Sequence, residues 1–317
     1  MPELPVSPWP NNAAKPMSYR QNANFISTAA AVLFMFQSGR PTPARAGEAP
    51  LIAAILSSEL TPYQKARQGL EKTLAGRAIL RYTLAKDTET ILPQNIRIAV
   101  TFGARAAQTA LPGKTAHIIA IAPAMLPTPR ANREIRIEML PEAGEMVARI
   151  RGIQPELRVL VAFWASETSR DYIKQMTDSG RTAGLEVRSY QTADGSVLSS
   201  ALRTGVVIGS SIWIPPDPLL INSENFEILR GYSVKNSVPL YVPTEGLAGN
   251  GGTVSIAPSF EEIGRLAGEA SISLLEGRSV PDNIYPEKLE IVINAASARQ
   301  CGIDLSGIKI PGFRLIR

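Results

Sequence analysis

The sequence predicts an α/β fold of two lobes, each built on a mainly parallel, doubly wound sheet. Three observations carry this. Apolar runs alternate with helix-length segments from Leu51 onwards, the pattern of parallel strands joined by crossover helices. The alternation starts afresh at Arg158-Val-Leu-Val-Ala-Phe163 with the same strand, loop and helix order. The chain has 317 residues, room for about two domains with real cores, and no long flexible linker divides it.

Leu51-Ile-Ala-Ala-Ile-Leu56 is a continuous apolar run, as expected of a strand buried on both faces. Ser57–Thr61 is its loop, and Pro62 opens a helix with Ala66, Leu70 and Leu74 on its apolar side. Ile79–Leu84 and Arg97–Thr101 read as the next strands. Phe102-Gly-Ala-Arg then leads into a helix through Ala110, and Ile118–Ala122 is a fourth strand. The connection from Ala85 to Asn95 is too short for a good helix. Ile135–Met139 is a further strand, and Pro141–Arg151 a helix with Met146, Val147 and Ile150 on its apolar face.

After the restart at Arg158 come a polar loop (Trp164–Ser169), a helix (Arg170–Gly180), a strand (Glu186–Tyr190) and a helix (Asp194–Leu202). Ser211–Ile214 is a strand, Pro215-Pro-Asp-Pro218 its loop, and Ser223–Asn236 a helix. Val238–Gly268 is the most informative stretch. A short apolar strand ends at Val242, Thr244–Gly252 is a loop with four glycines, and Ser259-Phe-Glu-Glu starts a helix with Ser at the cap and acids in its first turn. In open α/β sheets, junctions after the strand ends are where ligands bind.

Val238–Gly268 resembles the C-terminal half of the uncharacterised ABC-transporter substrate-binding family. The likeness lies in a small-polar-Glu-small loop, a Ser-Ile-Ala strand and a Phe-Glu-Glu-Ile-Gly-Arg helix start. Downstream, Glu290-Ile-Val-Ile-Asn-Ala-Ala-Ser-Ala-Arg-Gln-Cys-Gly-Ile is similar to the family's terminal strand, Asn, small helix and Gly. The resemblance covers about Leu51–Leu305. It implies the type I periplasmic binding fold, in which a hinge crossed three times joins the lobes. The crossings are then expected near Gln154–Arg158, Tyr241–Thr244 and Arg278–Tyr285. One lobe would comprise 47–157 plus 243–282, the other 158–242 plus 283–317. It also implies a small organic ligand, amino-acid-like in some members, a monomeric binder, and an ABC permease/ATPase complex in the inner membrane as partner, with no cofactor. The chain departs from the family at Pro218, where a polar residue is frequent, and in the short 85–95 connection.

Five loops are expected at the cleft. Ser57, Ser58 and Glu59 follow the first strand; Thr101, Phe102 and Gly103 the third; Ser166, Glu167, Thr168 and Ser169 the restart strand. Asp217 follows the strand that carries Trp213, and Glu245 follows Val242. Hydroxyls and free N–H groups at helix starts suit a carboxylate. Glu59, Glu167, Asp217 and Glu245 suit an ammonium, and Phe102, Trp164 and Trp213 an aromatic body. The competing reading of each acid is a helix cap or a solvated rim charge. Asp217 and Glu245, at the family's cleft positions, are expected to hold the polar or cationic part of the ligand while the first-lobe loops close over it.

Other function classes find little support. The formal charge of +5 comes from scattered Lys and Arg, not from the clusters that mark nucleic-acid binding. The single histidine, His117, has no nucleophile motif beside it, and the single cysteine, Cys301, permits neither an internal disulfide nor a cysteine metal site. Paired carboxylates serve glycoside hydrolysis in many enzymes, but these acids lie on separate loops. At the N-terminus, Arg20 precedes the apolar run Phe25–Phe36, and Ala44-Arg-Ala46 precedes Gly47. That is the layout of a secretory signal peptide over residues 1–46 and hence of a periplasmic protein; an uncleaved anchor is the alternative, and Met17 is a second candidate start. A sensory or scaffold protein on the same fold, with a weak or empty cleft, is the rival to transport.

Overall fold

The computed structural model describes residues 49–85, 92–123, 125 and 133–317. The expected signal peptide and the middle of the 85–95 connection lie outside the described residues.

The first series runs β1 (Leu51–Leu56), α1 (Thr61–Leu74), β2 (Ile79–Leu84), β3 (Ile98–Phe102), α2 (Ala104–Ala107), β4 (Ala116–Ala120) and β5 (Arg133–Ile137). The second runs α3 (Ala143–Ile153), β6 (Val159–Trp164), α4 (Arg170–Thr182), β7 (Glu186–Gln191), α5 (Gly195–Gly205), β8 (Ser211–Trp213), α6 (Ser223–Asn236), β9 (Leu240–Val242), α7 (Glu245–Gly249) and β10 (Val254–Ala257). The chain then returns to the first lobe for α8 (Phe260–Leu275) and β11 (Asn283–Ile284), and ends in the second with β12 (Glu290–Asn294), α9 (Ala295–Gln300) and β13 (Phe313–Ile316).

Two sheets result. The first has the order β11-β5-β4-β3-β1-β2 and every pairing is parallel. The second has the order β13-β12-β10-β9-β8-β6-β7, parallel except where β10 meets β12. In both, the strand order reverses beside the opening strand, between β1 and β3 and between β6 and β8. The first strand alternates between two cores. Ile52, Ala54 and Leu56 face α1 and α8, while Ala53 and Ile55 face Ala85, Ile96 and Ala106. Each fully buried Ile or Leu contributes about 1.5–3 kcal/mol of transfer free energy, so strands of this composition stay inside.

The helices α1 and α8 pack unusually closely because glycines face each other's backbone. A Cβ on Gly264 would stand 1.8 Å from the Ala66 carbonyl oxygen, and one on Gly69 would stand 2.1 Å from that of Glu261. In the second lobe, helices cover both faces. The helices α3, α4 and α9 share one core with Leu160, Trp213 and Ile293, while α5, α6 and α7 share another with Val161, Phe163 and Ile212.

The chain passes between lobes three times, but not all where the sequence places the crossings. The passages are residues 138–142, 258–259 and 285–289. The apolar face of α3 packs on Leu160, Ile173 and Met176, so α3 belongs to the second lobe and the first crossing precedes it. The strands β9 and β10 pair with β8 and β12, which moves the second crossing beyond Ala257. The third falls just after β11, whose two residues pair with β5. Helical periodicity identifies a buried face without saying which sheet buries it. The expected helix through Ala110 also stops at Ala107, and the glycine-rich stretch after Val242 contains the short α7.

Candidate functional site

A cavity of about 500 Å³ opens where the lobes meet, within the usual size of small-molecule sites. The first lobe supplies Ala122, Pro123 and the end of β5 at Arg136 and Ile137, and the first passage adds Glu138 and Met139. The second supplies Thr168, Ser169, Asp171, Tyr172 and Gln175 around the start of α4, with Pro215 and Pro216. Asn283 and Tyr285, beside the third passage, close one side.

Local backbone explains why these groups converge. Ile121 has φ 53°, in the left-handed region, where a β-branched side chain costs on the order of 1–3 kcal/mol. This turn ends β4 and sends Ala122 and Pro123 along the cavity wall. The pairing of β5 with β11 continues one residue past the strand, where the Glu138 N–H donates to the Ile284 carbonyl at 2.9 Å. That places Glu138 next to Tyr285. From the opposite lobe, Tyr172 donates to the Pro141 carbonyl at 3.0 Å and stacks on Trp213, ring centroids 6.0 Å apart and planes 18° from parallel.

Glu138 is partly buried, and among the described residues its carboxylate has no hydrogen-bond or ion-pair partner. Burial pushes its pKa up, and Arg136 pulls it back part of the way. Arg136, two residues earlier on the same strand face, is engaged elsewhere. Its Nε and Nη2 donate to Glu134 Oε1 at 3.0 and 2.8 Å, and Nη1 donates to the Met125 carbonyl at 2.6 Å. Burial raises the Tyr172 and Tyr285 phenols, with the neighbouring acids adding to it, so both stay neutral hydrogen-bonding groups.

Of the residues expected from sequence, Glu167, Thr168 and Ser169 line the cavity. Asp217, expected to hold the polar or cationic part of the ligand, has its carboxylate bonded within its own lobe. It is 1% exposed and holds its own lobe together. Oδ2 accepts from the Ala165 and Ser166 N–H groups at 2.9 and 2.6 Å and from Ser169 Oγ at 3.3 Å, and Oδ1 accepts from Ser166 Oγ and from the Leu219 N–H at 3.0 Å. Burial alone would raise its pKa, but the bonds from Ser166, Ala165 and Leu219 prevail and lower it. The acid therefore occupies the N–H groups at the β6–β8 switch point that an incoming carboxylate would use.

Other expected residues are also turned inward. Phe102 is fully buried, and Trp213 stands behind Tyr172. Thr101 Oγ1 lies 2.8 Å from His117 Nε2, and burial lowers the His117 pKa to about 4. Ser57 Oγ accepts from the Ala106 N–H at 2.9 Å, and a Cβ on Gly103, whose φ is 99°, would stand 2.4 Å from it. These loops close the β1–β3 switch point on themselves, and Ser58 does not line the cavity. Glu59 is exposed and accepts from the Tyr82 hydroxyl at 3.2 Å. Glu245 pairs with Arg314 at 2.8 Å, both half exposed. Sequence reasoning missed Glu138, Tyr172 and Tyr285. Glu138 continues the alternation of Glu134 and Arg136 with Ile135 and Ile137, so the pattern does not set it apart from the other charged residues of its strand.

Comparison with known proteins extends this geometry. The family model described as ABC transporter substrate binding protein matches residues 141–308. A tyrosine-binding protein of Clostridioides difficile (strain R20291) is 23% identical over 151 residues, 47% of this chain and 43% of that protein; the match thus spans less than half of the relative's length. Among solved structures, a ligand-free, open substrate-binding protein with adhesive properties from Clostridium difficile aligns with a TM-score of 0.63 at 14% identity. An ABC domain in complex with L-Trp from Streptococcus pneumonia aligns at 0.58 and 19%. Each alignment covers 84% of this chain and all of the other, which shows the type I periplasmic binding fold. With two mostly parallel sheets, a cavity between them and a family match over half its length, this chain belongs to the ABC transporter substrate binding protein family.

Proposed function

We propose that the protein is the periplasmic solute-binding component of an ABC import system and captures a small, amino-acid-like organic ligand between its lobes. The observation that carries this is the cavity of about 500 Å³ whose walls come from both lobes and the third passage. A ligand there contacts both lobes, and its extra affinity for the closed arrangement favours closure. The tyrosine-binding relative and the L-Trp complex support a ligand of amino-acid size. On this reading the protein binds without chemistry, is a monomer, is exported through the leader before Gly47, and delivers its ligand to a membrane permease.

A thermal-shift screen over amino acids, amines, nucleosides and small acids tests the proposal. A ligand at 100 times its dissociation constant adds about 2.7 kcal/mol of stability. The second reading, a sensor or scaffold that binds nothing in the cleft, draws on the first-lobe loops, where Ser57 and Gly103 fill their own crevice. A screen without a single shift favours that reading.

A further inference from the structure

The charges along the cavity are lopsided. Glu138, Glu167 and Asp171 line it, and among the described lining residues Arg136 is the single basic side chain. Arg136 is held by Glu134 and the Met125 carbonyl. The N–H groups of Ala165 and Ser166 at the neighbouring switch point are held by Asp217. The guanidinium and switch-point amides that would receive an anion are thus already engaged. The acids differ from one another. Glu167 pairs with Arg170 at 2.5 Å and accepts from Gln191 Nε2 at 2.8 Å. Glu138 is partly buried and has no such partner among the described residues, with burial working against its charge. Two tyrosines from different parts of the chain, Tyr172 and Tyr285, line the cavity with it, and both are close enough to feel its charge. A partly buried carboxylate whose basic neighbour, Arg136, is bonded elsewhere gains from a ligand that brings a positive charge, and tyrosine rings lining the same cavity favour the same cation.

We infer that Glu138 is the cation receptor of this cleft, taking the protonated amine of an organic ligand whose aromatic or apolar body lies against Tyr172 and Tyr285. The inference rests on the cleft-binding reading and narrows it: the amine is required for recognition and a carboxylate is not. Glu138 is thereby a specificity-determining residue.

The test uses one body with three charge states: tyramine, tyrosine and 3-(4-hydroxyphenyl)propionate, within a wider panel of amines and neutral or acidic solutes. Calorimetry on the full protein is expected to show tyramine binding at least as tightly as tyrosine, and the acid at least tenfold more weakly. Glu138→Gln is expected to weaken tyramine binding at least tenfold with the melting temperature of the empty protein unchanged. Glu186→Gln, whose carboxylate pairs with Arg188 outside the cavity, is expected to stay within about threefold of the wild type. Wild-type affinity in Glu138→Gln, or an acid that binds as tightly as the amine, overturns the inference and leaves the cleft reading standing. Binding of other solutes with every amine silent does the same. Silence across the whole panel overturns both.

Discussion

The sheet of the second lobe is sandwiched by helices drawn largely from one stretch of chain, α3 through α7, whereas the sheet of the first borrows α8 from beyond β10. Among the described residues, the other face of the first sheet is covered by the four-residue α2 and segments around Ala85 and Ile96. The first lobe therefore depends on a helix that arrives only after the chain has crossed over and back, and it holds that helix by glycine-mediated backbone contact with α1. The second lobe depends on a different device. Its switch point is tied by a single buried carboxylate, Asp217. Similar strand and helix grammar thus yields one lobe held by shape and another held at its mouth by polar bonds.

Breaking each device in turn separates the two. The largest effect is expected from Asp217→Ala, which leaves three backbone N–H groups and two hydroxyls without their acceptor. Denaturant unfolding should show a loss of about 3–5 kcal/mol. An unchanged stability with lost ligand binding would instead restore Asp217 as a ligand group. Next is Gly264→Ala, whose methyl meets the Ala66 carbonyl at a separation no real Cβ tolerates. Overpacking that moves α8 away from α1 should cost about 3 kcal/mol, well beyond the ~1 kcal/mol that Ala gains over Gly in helix propensity.

A smaller effect is expected from acid. His117 titrates near its ordinary 6.5 in the unfolded chain and at about 4 when folded. Above pH 6.5 it is neutral in both states and contributes no slope. As pH falls towards 4, the unfolded chain alone takes up the proton, so stability falls by about 2 kcal/mol between pH 6.5 and 5. His117→Gln should flatten that window without altering the steeper loss below it, where carboxylates such as Asp217 protonate. The smallest effect is Glu245→Ala, which removes a half-exposed pair with Arg314 and should change stability by less than about 0.5 kcal/mol.

Most of the architecture was legible in the sequence because burial on both faces writes itself as apolar runs. Leu51–Leu56 and Arg158–Phe163 show strands in the order found, and Ser259 caps α8 as its residue type suggests, accepting from the Glu262 N–H at 3.1 Å. What periodicity cannot convey is partnership. The face of α3 reads the same whichever sheet it covers, and Gly264 and Gly268 read as helix-weakening residues until α1 is set against them. Within the site, the sequence puts Asp217 on a loop that follows a strand, and the structure puts that loop at the β6–β8 switch point. Its use for the loop's own amides depends on the approach of β6 and β8, which a single sequence does not state. Glu138 escaped because strand-end position alone distinguishes neither a cleft from a rim nor a paired acid from an unpaired one.

One ligand is expected to engage both lobes, at the end of β5 and the start of α4. Hydrogen exchange with and without saturating tyramine locates its contacts. Added protection is expected both in residues 133–140 of the first lobe and its passage and in residues 166–176 of the second, with residues 57–61 unchanged. Protection confined to one lobe, or centred on residues 57–61, would contradict it.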